Sequence, residues 1–227
     1  MVGVCELGLM ELSGLYVPLI SPFTADGELA ADALEGLAHA VLDEGAAGMV
    51  ALGTTGEPAT LTGTERRMVL DVCARVCRER SATLIAGAGS NDTRASAEAL
   101  AQLAAWPEIS AALTVVPYYT RPSEEGVVAH FASLARQSTV PLIIYNIPYR
   151  TGRSLGWRTL RRLAELPGIA GMKHAVGGID EDTVRLMADL PDGFAVLGGD
   201  DIVASPLLAG RGRSDPRVGE RVHEGVR

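Results

Sequence analysis

The segment GIAGMKHAVGG contains Lys173, the single lysine among the 20 basic residues of the Lys+Arg count; the rest are arginines. A guanidinium keeps its proton at any physiological pH, whereas an amine can lose one and attack a carbonyl carbon. Lys173 ends an apolar run, where an ammonium is partly desolvated and the neutral amine, the form that makes a Schiff base with a ketone, is favoured. The strand alone leaves a second reading open, a lysine reaching outward from a strand end to water.

Other candidates for chemistry sit in short polar clusters that each follow a different apolar run: GTTGE, PYYTRP, YNIPYRTG, MKHAVG and GGDD. Cys73 and Cys77 are four apart in a helical pattern, but no second Cys/His pair at suitable spacing completes a zinc site. With Cys5 they read as reduced core thiols. His39, His130 and His223 show no metal-ligand spacing and are expected on surfaces or helix faces. GAGSND gives G-x-G-x-x-D without the third glycine of a dinucleotide fingerprint, and it does not follow the first strand. Its glycines are expected to relieve crowding at a tight turn.

The elements that must position these clusters alternate. Strand candidates begin at Gly14, Ala46, Ala82, Ala111, Pro141, Ile169 and Phe194, and amphipathic stretches lie between them. Thr62-Gly63-Thr64-Glu65 has the form of a capping box; Ser123 and Ser154 mark two further helix starts. Strand followed by helix, repeated about seven times, predicts an α/β fold with a parallel sheet covered by helices. Alternation alone does not separate an open doubly wound sheet from a closed barrel. Polar residues after many different strands favour the (β/α)8 barrel, which draws its site from several strand ends.

The chain has 227 residues, a formal net charge of −8 and 47% hydrophobic residues. It is long enough to bury a substantial core. An acidic balance argues against nucleic acid and anionic membrane surfaces as partners. Glu6 and Glu11 interrupt the apolar start and no Lys or Arg precedes it, so it does not fit a secretory signal; a cytoplasmic location is the expectation. From Gly210 onward GRGRSDPRVGERVHEGVR lacks apolar periodicity and carries five arginines. Residues 210–227 therefore read as a disordered tail, and residues 1–209 as the folded domain.

GTTGEPATLT, VPYYTRPSEEG, IIYNIPYRTG, GMKHAVGG and LGGDD, in this order, resemble the dihydrodipicolinate synthase and N-acetylneuraminate lyase superfamily of class I aldolases. The resemblance runs from about Gly14 to Ala209 and implies a (β/α)8 barrel. It implies that Lys173 forms an imine with pyruvate, that Tyr145 passes protons, and that Thr54 and Thr55 bind at the GTTGE turn, where the pyruvate carboxylate is held. It implies that Tyr119 reaches into a neighbouring subunit's site, so that Thr54, Tyr145 and Tyr119 form a relay in a homodimer or homotetramer. Arg150 matches the arginine that grips the carboxylate of aspartate semialdehyde, and Gly199 and Asp200 match the lining of the second-substrate pocket. No metal or organic cofactor is implied, because the lysine is itself the electron sink. The residues alone leave plainer roles open: interface packing for Tyr118 and Tyr119, barrel packing for Tyr145, a surface position for Arg150.

Three departures stand out. His174 follows the lysine where synthases usually carry an acid, and Tyr149 replaces a commonly small residue beside Arg150, so the aldehyde partner is open. A sugar-acid or sialic-acid cleavage by the same imine chemistry is the alternative. The eighth strand and the C-terminal helices of the family are missing, which makes an incomplete barrel of about seven βα units the expectation, and an inactive one a further alternative.

Overall fold

Short apolar runs become strands because β-branched and small residues buried on both faces fit a sheet with helices on one side and a filled interior on the other. The computed structural model describes residues 12–202. In chain order they form β1 (Tyr16–Pro18), α1 (Ala31–Asp43), β2 (Gly48–Ala51), α2 (Gly63–Arg80), β3 (Thr83–Gly87), α3 (Thr93–Gln102) and β4 (Ile109–Val115). These are followed by α4 (Glu124–Gln137), β5 (Leu142–Asn146), α5 (Pro148–Thr151), α6 (Trp157–Ala164), β6 (Ile169–His174), α7 (Glu181–Ala188) and β7 (Ala195–Gly198). All neighbouring strands pair in parallel, in the order β1-β2-β3-β4-β5-β6-β7. This is the expected incomplete (β/α)8 barrel, a curled sheet of seven strands. The proposed boundary at residue 209 and the tail at 210–227 lie outside the described residues.

Side chains alternate across the sheet and build two cores. Met49, Leu84, Ala112, Ile144, Met172 and Val196 point outward to meet apolar faces of the helices, including Leu34, Val69, Leu100, Phe131 and Leu160. Tyr16, Val50, Ile85, Leu113, Ile143, Tyr145 and Leu197 point inward and form a single cluster from β1 to β7.

Helix starts are set by side chains that accept otherwise orphaned amide hydrogens. The Thr62 hydroxyl accepts from Glu65 N at 3.2 Å, and Thr62 N donates to Glu65 Oε2 at 2.7 Å, which completes the capping box. Ser123 Oγ accepts from Gly126 N at 3.1 Å. Asp92, the last residue of GAGSND, caps α3 by accepting from Ala95 N at 2.9 Å. The start expected at Ser154 is corrected: Gly156 caps α6, because Leu155 is drawn into the core and Gly156 N donates to Glu124 Oε1 at 3.3 Å.

Cys73 and Cys77 are free and buried on α2, and burial pushes both thiols up to about 12. His130 corrects the surface expectation. It lies buried on α4, with Nδ1 2.8 Å from Thr93 Oγ1 and its ring edge-on to Phe131. Burial pushes it down to about 4, with Asp92 opposing. The unfolded chain, with a pKa of about 6.5, binds this proton over the window between the two values, so stability present above the upper value is lost as pH falls through it. We expect a loss of up to about 3 kcal/mol from this residue between pH 7 and 4. Urea midpoints at several pH values, with His130→Gln giving a shallower slope than wild type, check it.

Candidate active site

All seven strands run toward one end of the sheet, so the polar clusters at their carboxyl ends converge there. The first is a 3-10 turn, Thr54–Gly56, directly after β2. It is entered and left in left-handed backbone, with φ of 55° at Leu52 and 49° at Glu57. Neighbouring strands press on it. A Cβ at Gly87 would lie 2.0 Å from the Leu52 carbonyl oxygen, which is the crowding that the glycine of GAGSND relieves. Ser21 Oγ donates to Gly56 O at 2.7 Å, tying the turn to the segment after β1. Thr54 is exposed and Thr55 half-buried, both next to successive backbone amides of a tight turn, an arrangement suited to an anion.

Tyr145 of β5 and Lys173 of β6 are register partners on the inner face. Lys173 is 7% exposed, with Nζ 4.5 Å from the centroid of the Tyr145 ring. The outward-reaching alternative for Lys173 is thus excluded. Gly199, after β7, leaves room for the lysine stem: a Cβ there would lie 3.2 Å from Lys173 Cε and 2.3 Å from Ala175 Cβ. The Asp200 carboxylate accepts from Gly177 N at 3.3 Å and joins the loops after β6 and β7.

Arg150 rides on α5, a single turn started by Pro148, whose fixed φ suits the first helical position. Its Nε donates to the Tyr149 hydroxyl at 3.2 Å, and the guanidinium lies 5.2 Å over that ring. Tyr149, one of the departures, therefore bears directly on how Arg150 is held. His174 does not bear on the substrate side. It points outward between β6 and α7, hydrogen-bonded to Asn146 and Thr183.

A cavity of about 570 Å³ opens at this end. Thr54, Tyr145 and Arg150 line it together with Tyr118, Ile147 and Thr151, and it extends across the start of α2 toward α3. Lys173 is not on its wall; it lies against the ring of Tyr145, which is. Thr55, Gly199 and Asp200 are not on its wall. Tyr119 is 88% exposed, at a left-handed φ of 68°, and turns away from its own chain's cavity. Tyr118 is a cavity residue that sequence reasoning treated only as packing; the PYY pair itself was the signal. Among the described residues no group of three metal-ligating side chains occurs, and no helix is long and apolar enough to cross a membrane.

The model of the dihydrodipicolinate synthetase family matches residues 11–213. The chain belongs to this family. The 4-hydroxy-tetrahydrodipicolinate synthase of Moorella thermoacetica is 40% identical over 200 residues, 88% of this chain and 68% of the relative. That of Synechococcus elongatus is 43% identical over 84% of this chain and 63% of the relative. The crystal structure of the chloride-inhibited dihydrodipicolinate synthase from Acinetobacter baumannii, complexed with pyruvate, superposes with a TM-score of 0.85 at 33% identity, covering 95% of this chain and 70% of that one. The chain thus spans about two thirds of the length of its family relatives.

Gly199→Ala tests the lysine niche. The added methyl overpacks Ala175 and the Lys173 stem, and a loss of about 1–3 kcal/mol is expected in urea unfolding.

Proposed function

We propose that the chain is a pyruvate-dependent Schiff-base lyase, a 4-hydroxy-tetrahydrodipicolinate synthase that condenses pyruvate with aspartate semialdehyde. The observation that carries this reading is the solitary lysine buried on the inner face against a tyrosine ring, at the strand ends of a barrel of this family. Desolvation disfavours the ammonium form and supports attack by the neutral amine on the keto carbon of pyruvate. A carbinolamine forms, its hydroxyl leaves as water, and the resulting iminium draws electrons from the adjacent methyl. Loss of a methyl proton gives an enamine, whose carbon bonds to the aldehyde carbon of the second substrate as the aldehyde oxygen takes a proton. The amine of that substrate then displaces the lysine nitrogen from the imine carbon and frees the enzyme. The lysine supplies the electron sink, so the chemistry calls for no metal or organic cofactor.

Protons must move to and from oxygen at each stage, and a phenol near its ordinary pKa of about 10 is a weak base alone. In this reading Tyr145 works in a relay with Thr54 and with Tyr119 supplied by a neighbouring subunit. The outward turn of Tyr119 suits that role, and a homodimer or homotetramer follows from it. Thr55 and the turn amides hold the pyruvate carboxylate. Arg150 takes the carboxylate of the aldehyde, for which its planar fork is suited. Gly199 and Asp200 border the second-substrate pocket, and the enzyme works in the cytoplasm on small molecules.

Pyruvate followed by borohydride is expected to leave a reduced adduct on Lys173, located by peptide mass spectrometry and absent from Lys173→Ala. An unmodified wild-type lysine would sink the reading. Arg150→Met is expected to raise KM for aspartate semialdehyde by about tenfold or more, as one charged partner is lost, with adduct formation from pyruvate unchanged. A sugar aldehyde turned over in preference to aspartate semialdehyde would assign a different second substrate.

A further inference from the structure

Directly behind the lysine, on the opposite face of the same strand pair, lies a hydrogen-bonded chain that the proposed chemistry does not use. Asn146 and His174 are register partners, as Tyr145 and Lys173 are one residue earlier. Both outer-face residues are buried. His174 Nδ1 is 3.2 Å from Asn146 Nδ2, and His174 Nε2 is 3.1 Å from Thr183 Oγ1. Asp180, the cap of α7, accepts from Thr183 N at 2.8 Å and from Thr183 Oγ1 at 2.7 Å.

With the amide nitrogen of Asn146 facing the ring, the proton positions follow from this acceptor set. A hydroxyl has one hydrogen, and the Asp180 carboxylate takes that of Thr183. Thr183 can then only accept from His174, which places the ring proton on Nε2. Nδ1 is left with its lone pair and accepts from the Asn146 amide. An imidazolium would set a second N–H against the same amide, so the neutral ring is the form that fits. Burial acts in the same direction and lowers the pKa of His174, with the Asp180 and Asp200 carboxylates opposing. The price of this orientation is a buried Asn146 Oδ1 without a hydrogen-bond partner. An unsatisfied buried acceptor is destabilising, so the contact is held by its surroundings rather than by its own gain.

We propose that His174, acting through Asn146, is a positioning residue for Lys173 and Tyr145: its neutral ring clamps the carboxyl ends of β5 and β6 on the face opposite the two reacting side chains. This rests on the reading of Lys173 as the imine-forming residue. The clamp reaches the strands where their ladder ends, beside the bond from Ala175 N to Asn146 O at 2.9 Å. It connects them to α7 through Thr183 and Asp180. Displacements of about 1 Å at a reacting group can cost a hundredfold in rate, so a strand-end clamp is a kinetic device and not only a structural one.

The test measures the rate of borohydride-trapped pyruvate adduct at Lys173 in the full chain, at saturating pyruvate, across about pH 6 to 8. The variants are His174→Asn, His174→Gln and Asn146→Asp, each checked for folding by circular dichroism. Asparagine places an amide where Nδ1 stood and restores the contact to Asn146; glutamine reaches Thr183 instead. We expect His174→Asn within about threefold of wild type and His174→Gln slower by about tenfold or more, with half-saturating pyruvate unchanged in both. Asn146→Asp presents a carboxylate to Nδ1 and favours the imidazolium, so its rate is expected to fall more steeply with decreasing pH than that of wild type. Folded His174→Gln trapping at the wild-type rate, or both histidine variants slowed equally, overturns the proposal. If His174→Gln does not fold, an Asn146→Asp profile superimposed on wild type does the same. Absence of the adduct in wild type is a separate outcome and overturns the reading of Lys173 itself.

Discussion

Successive side chains on a strand point to opposite faces, and the parity of β5 and β6 is the constraint on which the rest of this structure depends. With Tyr145 and Lys173 paired inward, Asn146 and His174 are paired outward. A slip of one residue in β6 would bring an imidazole into the barrel and send the amine to the helices. Packing on both faces opposes that slip. Met172 and Ile144 belong to the layer under the helices, while Ala175, Ala195 and Leu197 fill the interior. Gly171 fits beneath Ala195, where a Cβ would lie 2.7 Å from a carbonyl oxygen. The location of the amine is therefore decided by the layered core well before any substrate is involved.

The turn after β2 shows how closely the strand ends are packed. Leu52 takes a left-handed conformation, uncommon for a leucine, and its carbonyl approaches the bare Cα of Gly87 on the next strand. One glycine, one strained leucine and the Ser21 hydroxyl together fix where Thr54 and Thr55 stand. On the other side of the mouth, Pro148 and the short α5 hold Arg150 against Tyr149. The cavity between them is thus framed by backbone geometry on one wall and by a side-chain contact on the other.

Much of this was legible in the residues. Lys173 was marked by being the one amine among guanidinium groups, the strands by apolar runs ending in polar clusters, and α2 by its capping box. What was not legible depends on tertiary neighbours. Gly156 replaces Ser154 as a cap because Glu124, from another helix, reaches its amide. His130 lies inside because it shares a helical face with Val127, Phe131 and Leu134, a periodicity that could have placed it there. The outward face of His174 was implicit in strand parity, but only once Lys173 had been set inward. The exposure of Tyr119 fits the expectation drawn from the PYY pair, but its left-handed backbone could not be read from the residues.

The surface chemistry follows from the same economy of amines. Arginines make ion pairs that tie surface segments together, such as Arg78 with Glu108 and Arg162 with Glu125. Guanidinium groups remain charged and do not condense with simple aldehydes and keto acids as amines do. A protein dressed in this way can sit in a pool of carbonyl metabolites without accumulating stray side-chain imines on its exterior, since its one side-chain amine is buried on the inner face of β6.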